Sequence, residues 1–206
     1  NDRVFIEKGG EIIPKVIKVD FNDRDSKSEE FIFISRCPSC DTLLKSIEDQ
    51  AIHYCPNYKK CPPQVSGRIE HFISKNAMDI EHIGPETVKG LINKELLNDI
   101  SDLYKLKYEK IIGLELKIDG ENKVRSLKHK SCQNIINSIE KSKKNNFSNV
   151  LFGLGIRYVG KTTAEKLAKH FKNIENIKSA NFDQLTHVEE IGDKIVNSIE
   201  VYFNNP

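Results

Sequence analysis

Four cysteines constrain this chain more than any other feature. They read Cys37-Pro38-Ser39-Cys40, then Cys55, then Cys61: a C-x2-C pair, fourteen intervening residues, and a C-x5-C pair. Two thiolates two residues apart can bite one tetrahedral ion from a tight turn, and a second pair completes four sulfurs. Four protein ligands leave no open coordination position, so the expected role is structural. Zinc is the default for an all-thiolate tetrahedral site, and iron is the other metal that such sites hold. Disulfide pairing is the competing reading, and it belongs to oxidising compartments. His53 and His71 could ligate in principle, but four thiolates already suffice, so both read as surface or packing residues. Four of the seven prolines fall within 35–64, as expected of a small metal-stapled module over residues 35–66.

The second constraint is a repeat in the part of the chain that follows. Gly84, Gly160 and Gly192 align. One residue earlier stand Ile83, Val159 and Ile191, and four earlier stand Ile80, Ile156 and Val188. Four residues later stand Val88, Ala164 and Val196, and seven later stand Leu91, Leu167 and Ile199. Each unit reads as an apolar helix end, a glycine turn, and a second helix with a narrow apolar stripe. A fourth unit places Val124, Leu127, Cys132 and Ile135 in the same apolar slots, with Lys128 in the glycine slot. The first gap is 44 residues against 32 for each of the next two, so an insertion is expected around 115–125. Cys132 occupies a small core slot and reads as a packing residue rather than a reactive thiol.

These units have a binding logic. Glycine allows positive φ and close approach of backbone to a ligand. The N–H groups that open the following helix are unpaired and sit at its positive dipole end, which suits phosphate. Lys161, Thr162 and Thr163 follow Gly160, and Lys194 follows Gly192. An ordinary glycine-capped helical hairpin is the bland reading of any one unit. Charge argues against it for the set. Lys plus Arg is 32 and Asp plus Glu is 30, yet residues 117–172 carry 13 basic and 4 acidic side chains. The nearly neutral total excludes a histone-like basic tail and an acidic solvating tail, and hides a +9 stretch that suits a polyanion.

Residues 2–19 read as strand, turn, strand, with β-branched residues bounded by Gly9-Gly10 and Pro14. Residues 20–30 are a polar loop, and Phe31-Ile32-Phe33-Ile34 reads as a third short strand. No run of 18 apolar residues occurs, so no membrane-spanning helix is expected. The first residues are not a signal peptide. The chain starts without Met and within an apparent strand, as a fragment of a longer protein would. Lys117-Ile118-Asp119-Gly120 matches K-x-D-G, the nucleophile motif of covalent nucleotidyltransferases. It lies in the apparent insertion without partner motifs, so it reads as coincidence. No Ser/His/Asp constellation and no Walker-type phosphate loop is present.

Taken together these residues resemble the C-terminal half of a bacterial NAD-dependent DNA ligase. Asp2-Arg3-Val4 through Lys8-Gly9-Gly10-Glu11-Ile12-Ile13-Pro14-Lys15-Val16 resembles the end of that family's OB fold. The cysteines resemble its four-cysteine zinc finger. Gly67-Arg68-Ile69-Glu70-His71-Phe72 with Asn76-Ala77-Met78-Asp79-Ile80 resembles the entry to its helix-hairpin-helix domain. Leu151-Phe152-Gly153-Leu154-Gly155-Ile156-Arg157-Tyr158-Val159-Gly160 resembles its third hairpin. The family's second-hairpin glycine pair is replaced here by Ser126 and Lys128. Its adenylation domain, with the true K-x-D-G lysine, and its BRCT domain lie outside this chain.

The resemblance implies a multidomain α+β chain. Residues 1–34 would be the C-terminal part of an OB fold, 35–66 a four-cysteine zinc finger, and 67–206 an all-α domain of four helix-hairpin-helix repeats, the second atypical. It implies structural zinc on Cys37, Cys40, Cys55 and Cys61. It implies duplex contacts at Gly84, Thr87, Lys128, Gly155, Gly160, Lys161, Thr162, Gly192 and Lys194. NAD and magnesium would serve the full-length enzyme and not this portion, which would be inactive alone. The implied partners are nicked double-stranded DNA and the chain's own adenylation domain, in a cytoplasmic monomer acting at the nucleoid. The alternatives are a stand-alone, non-catalytic zinc and helix-hairpin-helix adaptor on DNA, and a zinc-based protein-interaction module.

Overall fold

The structure, a computed structural model, describes residues 2–10, 12–46, 52–117 and 124–204. β1 (Val4–Gly9) and β2 (Ile13–Val19) pair antiparallel, from Val4 opposite Val19 to Gly9 opposite Ile13, with a bulge between Phe5 and Ile6. Gly10, at φ +68°, makes the turn. Among the described residues no second layer covers the ribbon, and its apolar side chains, Ile6 and Ile13 among them, are exposed. An OB fold needs more strands than this one pair supplies. The expected third strand at 31–34 does not form. That stretch pairs with no other strand among the described residues, and Phe31, Ile32, Phe33 and Ile34 are all exposed. Apolar β-branched residues make a strand only where a neighbouring edge and a buried face exist.

The cysteine module contains one short antiparallel pair, β3 (Lys45–Ser46) with β4 (His53–Tyr54). It runs without a break into α1 (Pro62–Ile73), whose N-cap is Cys61 and whose first residue is a proline. Proline is suited there because the N–H it lacks would have no intrahelical partner. The 66/67 limit read from the sequence therefore falls inside a continuous helix.

From α1 onward the chain is helical, with one exception. α2 (Pro85–Asn93), a 3-10 turn over Ile100–Lys105 and α3 (Tyr108–Ile111) lead to a second ribbon, β5 (Glu115–Lys117) with β6 (Val124–Ser126). Then follow α4 (His129–Ser142), α5 (Phe147–Gly153), α6 (Lys161–Phe171), α7 (Ile174–Ser179), α8 (Phe182–Thr186) and α9 (Asp193–Phe203).

These helices enclose two hydrophobic cores. The first, from Val65 to Ile139, holds the slot residues of the first two repeat units; the second, from Leu151 to Ile199, holds those of the last two. The apolar stripe thus buries as its spacing predicts. Val88, Cys132, Ala164 and Val196 are each fully buried, and so are Leu91, Ile135, Leu167 and Ile199. One slot departs: Val124 is 54% exposed because it lies on β6 rather than at a helix end. Side chains from the second half bind carbonyls of the first. Asn145 Nδ2 donates to Met78 O at 2.7 Å and Asn149 Nδ2 to Ala77 O at 2.8 Å.

Candidate metal centre and nucleic-acid interface

The four predicted thiols converge. Their Sγ atoms all lie within 4.8 Å of one another. Cys37 and Cys61 are 3.8 Å apart and Cys40 and Cys55 are 3.5 Å apart. Zn–S bonds of about 2.3 Å in a tetrahedron place sulfurs about 3.8 Å apart, whereas a disulfide needs about 2.05 Å. The spacing fits a four-thiolate ion and no disulfide is present among the described residues.

Each pair is held by local backbone. Asp41 N donates to Cys37 O at 2.8 Å and Cys37 N to Thr42 O at 2.9 Å, with Asp41 left-handed at φ 56°. This tight turn brings Cys37 and Cys40 to one side. Cys61 N donates to Asn57 O, which curls the second pair toward the first. Around the sulfurs stand groups that the spacing alone did not reveal. Thr42 Oγ1 lies 3.2 Å from Cys40 Sγ, and Asn57 Nδ2 donates to Thr42 Oγ1 at 3.3 Å.

The thiols differ before any ion binds. The Thr42 hydroxyl beside Cys40 holds its pKa down to about 6, while burial pushes Cys61 up to about 12. A dication among them supplies the charge that keeps all four deprotonated. His53 stacks on the Phe33 ring at 5.4 Å, and His71 Nε2 donates to Phe152 O at 2.9 Å. Neither belongs to the sulfur set. Cys132 is fully buried in the first core, as its slot predicts.

The repeat units share one geometry that the sequence reading described differently. Gly84 (φ −92°, ψ 173°), Lys128 (−88°, 167°), Gly160 (−77°, 178°) and Gly192 (−95°, 172°) are the N-caps of α2, α4, α6 and α9. All are extended, so positive φ is not what glycine provides there, and Lys128 adopts the same backbone. The left-handed residue sits two positions earlier: His82 (67°), Tyr158 (65°) and Glu190 (64°). In the second unit that position is Ser126, on β6, so a strand ribbon stands where the others have a turn. A Cβ added at Gly84, Gly160 or Gly192 meets nothing within 4 Å. These glycines are required neither by their own dihedrals nor by internal packing, which leaves clearance for an outside ligand.

None of these four N-caps makes a side-chain cap hydrogen bond, whereas Asn173 and Asn181 do so at α7 and α8. Each repeat helix opens on its slot residue. The first i to i−4 bonds run from Val88, Cys132, Ala164 and Val196 to Gly84, Lys128, Gly160 and Gly192. Of the predicted contact residues, Gly84, Lys128, Gly160, Lys161, Gly192 and Lys194 are exposed at these helix starts, and Thr162 is exposed beside them. Two are placed otherwise. Thr87, predicted as a contact, is instead buried in the first turn of α2. Gly155 is left-handed at φ +67° and follows the end of α5 rather than opening α6. The K-x-D-G stretch begins at Lys117, the end of β5, and its residues 118–120 lie outside the described residues.

A four-thiolate structural metal module running directly into paired helix-hairpin-helix units defines a zinc-stapled protein of the DNA-binding class. Residues 36–62 match the family described as NAD-dependent DNA ligase C4 zinc finger domain. Residues 149–206, which hold the third and fourth units, match the helix-hairpin-helix motif family. The chain is 49% identical over 203 residues to a DNA ligase of Christiangramia forsetii, covering 98% of this chain and 29% of the relative. It is 49% identical over 205 residues to a DNA ligase of Flavobacterium psychrophilum, covering 100% and 29%. A DNA ligase of Chloroherpeton thalassium is 41% identical over 205 residues, covering 100% and 28%. The chain belongs with the bacterial NAD-dependent DNA ligases and spans about 29% of the length of the first of these curated relatives.

Proposed function

We propose that this chain is the duplex-gripping portion of an NAD-dependent ligase that seals nicks in DNA. The observation that carries the reading is the register of α2, α4, α6 and α9. Four helices open on equivalent, exposed residues with matching extended backbone and no side-chain cap. Three of the four carry no Cβ at that point. Free N–H groups at a positive dipole end attract a phosphate and ignore the base. Paired units on two adjoining cores can therefore follow a duplex backbone without reading sequence.

In this reading residues 1–34 contribute the end of an OB fold, 35–66 fix the joint through zinc, and 67–206 hold the duplex. Within that last part the contacts are made by the backbone at Gly84, Thr87, Gly160 and Gly192, and by Lys128, Lys161, Thr162 and Lys194. Gly155 shapes the loop between α5 and α6. NAD, magnesium and the adenylated lysine belong to the remainder of the longer protein. The chain acts as a monomer and joins no ends alone.

The test is titration of nicked duplex, intact duplex and single strand at several salt concentrations. Backbone neutralisation predicts an affinity that falls steeply and linearly in log–log form with salt. Absence of duplex binding at low salt overturns the reading. Ligation of nicks by this chain alone overturns the division of labour.

A further inference from the structure

Among the described residues, no buried side chain belongs to both cores, and the turn over 143–146 between α4 and α5 is the covalent link from one half to the other. A short turn alone would let the halves swivel. α5 bridges them: Val150 packs against the first core, while Leu151 is buried in the second. Its main helix partner across the divide is α1. A Cβ on Gly153 would lie 2.9 Å from Phe72 Cδ2 and 3.4 Å from Ala77 Cβ, so the contact leaves no room for a side chain at Gly153.

Hydrogen bonds lock that contact at three points. Asn145 and Asn149 donate to the carbonyls of Met78 and Ala77, and His71 donates to that of Phe152. Ala77 and Met78 are buried, and among the described residues no backbone N–H bonds either carbonyl. Swinging α5 away from α1 would leave both acceptors without a protein partner, which costs free energy. Asparagine suits this task. Its short side chain gives up less rotamer freedom on being fixed than a lysine or glutamate does.

The bonds fall where position matters to the duplex. Ala77 and Met78 lie in the turn that leads from α1 to Gly84, where α2 opens. Phe152 and Gly153 end α5 and lead to Gly160, where α6 opens. The joint therefore sets where the first unit stands relative to the third.

We infer that the α1–α5 joint fixes the separation of the two pairs of hairpin units on the duplex. Asn145, Asn149 and His71 are its positioning residues, acting through the units rather than on the DNA. The inference rests on the duplex-gripping reading above. Once one pair engages, a rigid link presents the other pair to its phosphates at high effective concentration. A loosened joint lowers that concentration and leaves each phosphate contact as it was.

The experiment titrates fluorescent nicked duplex with the parent chain, Asn149→Ala and Asn145→Ala/Asn149→Ala. Each is also made in a Gly160→Val/Gly192→Val background that leaves only the first pair to bind, at salt low enough for that background to bind. The double variant should lose about tenfold in affinity and the single variant about threefold, part of the avidity that a rigid link supplies. The log–log salt slope should stay at the parent's, because the number of neutralised phosphates is unchanged. In the glycine-substituted background the same variants should bind as that background does, since one pair has nothing to be positioned against. Both variants should melt cooperatively, because each core keeps its apolar residues. The single variant carries the test if the double variant does not fold. Labels at the exposed Lys94 and Lys169, attached by chemistry that spares cysteine, should show a broader spread of distances in the variants. Affinity equal to the parent's, an equal loss in both backgrounds, or an unchanged spread of distances overturns the joint while the duplex reading stands. If the parent itself fails to bind duplex, that reading and this inference fall together.

Discussion

Lys166 Nζ on α6 lies 2.7 Å from Glu190 Oε2, and Glu190 is the left-handed residue that turns the chain into α9. Glu189 approaches the same ammonium at 3.7 Å. One side chain thus joins the second helix of the third unit to the turn of the fourth. The Glu190 hydrogen bond, followed by the charges of Glu189 and Glu190, raises the Lys166 pKa above its ordinary value of 10.5. A raised lysine contributes stability that is full below 10.5 and is lost as pH rises through the folded value.

Lys166→Met should therefore cost little stability, with a melting curve close to the parent's, because both glutamates are largely exposed and solvent screens the pair. Its effect should appear in duplex affinity, with the salt slope unchanged, since the ammonium is engaged by carboxylates and not by phosphate. The charge swap Lys166→Glu/Glu190→Lys should restore affinity. A slope reduced by one contact in Lys166→Met would instead make this lysine a phosphate ligand.

Cys37→Ser or Cys55→Ser should release one metal ion per chain and unfold the 35–66 module. Metal binding there is coupled to folding, and three thiolates do not close a structural site. Chelation should give the same outcome as mutation. The check is metal content together with hydrogen exchange over 35–66. Exchange protection of Leu151 and Leu167 should persist, because the second core shares no residue with the module. A variant that keeps its metal and its melting curve would refute the ligand set.

Much of this architecture was legible in the residue order. The C-x2-C and C-x5-C spacing placed four sulfurs within reach because a tight turn fixes each pair locally. The apolar slots were legible because a 3.6-residue period must bury one face, and residues such as Val88, Ala164 and Val196 do so. Four features were not legible. The left-handed turn falls on His82, Tyr158 and Glu190, side chains that do not advertise positive φ as glycine does. The division into two cores depends on which units pack together, and the slot pattern is alike in all of them. Phe31 to Ile34 have strand composition, but composition does not supply a pairing partner. Val124 met the apolar pattern while its backbone followed the ribbon.

Asp102 gives a pH-dependent test of the first core. Its side chain accepts from Lys105 Nζ at 2.9 Å and from the backbone N–H groups of Asn98 and Asp99 at 3.0 Å. The Lys105 hydrogen bond first, then the Asn98 N–H, holds its pKa below 3.8. A depressed carboxylate contributes stability that is present above 3.8 and lost as pH falls through the folded value. Asp102→Asn should cost on the order of 1 kcal/mol at neutral pH, as for loss of a cap. The gap to the parent should close in acid. A gap that stays constant down through the acid range would show that the carboxylate charge does not matter there.

Two glycines in equivalent-looking helices should respond in opposite ways. At Gly90 an added Cβ would sit 2.2 Å from Leu116 Cδ2, inside the first core. Gly90→Ala should therefore destabilise by about 1–3 kcal/mol through overpacking and should displace the β5–β6 ribbon. At Gly160 a Cβ meets nothing within 4 Å, and φ −77° with ψ 178° is ordinary extended backbone that valine adopts readily. Gly160→Val should leave the melting temperature near the parent's. It should nonetheless weaken nicked-duplex binding, and by the same factor for unrelated sequences, because the added isopropyl group holds a phosphate away from the first N–H groups of α6. Thermal melts paired with anisotropy titrations separate the two cases. A Gly160→Val chain that melts as the parent does and binds as the parent does would remove the third unit from the duplex contact. The clearance at its glycine would then have no bearing on a ligand.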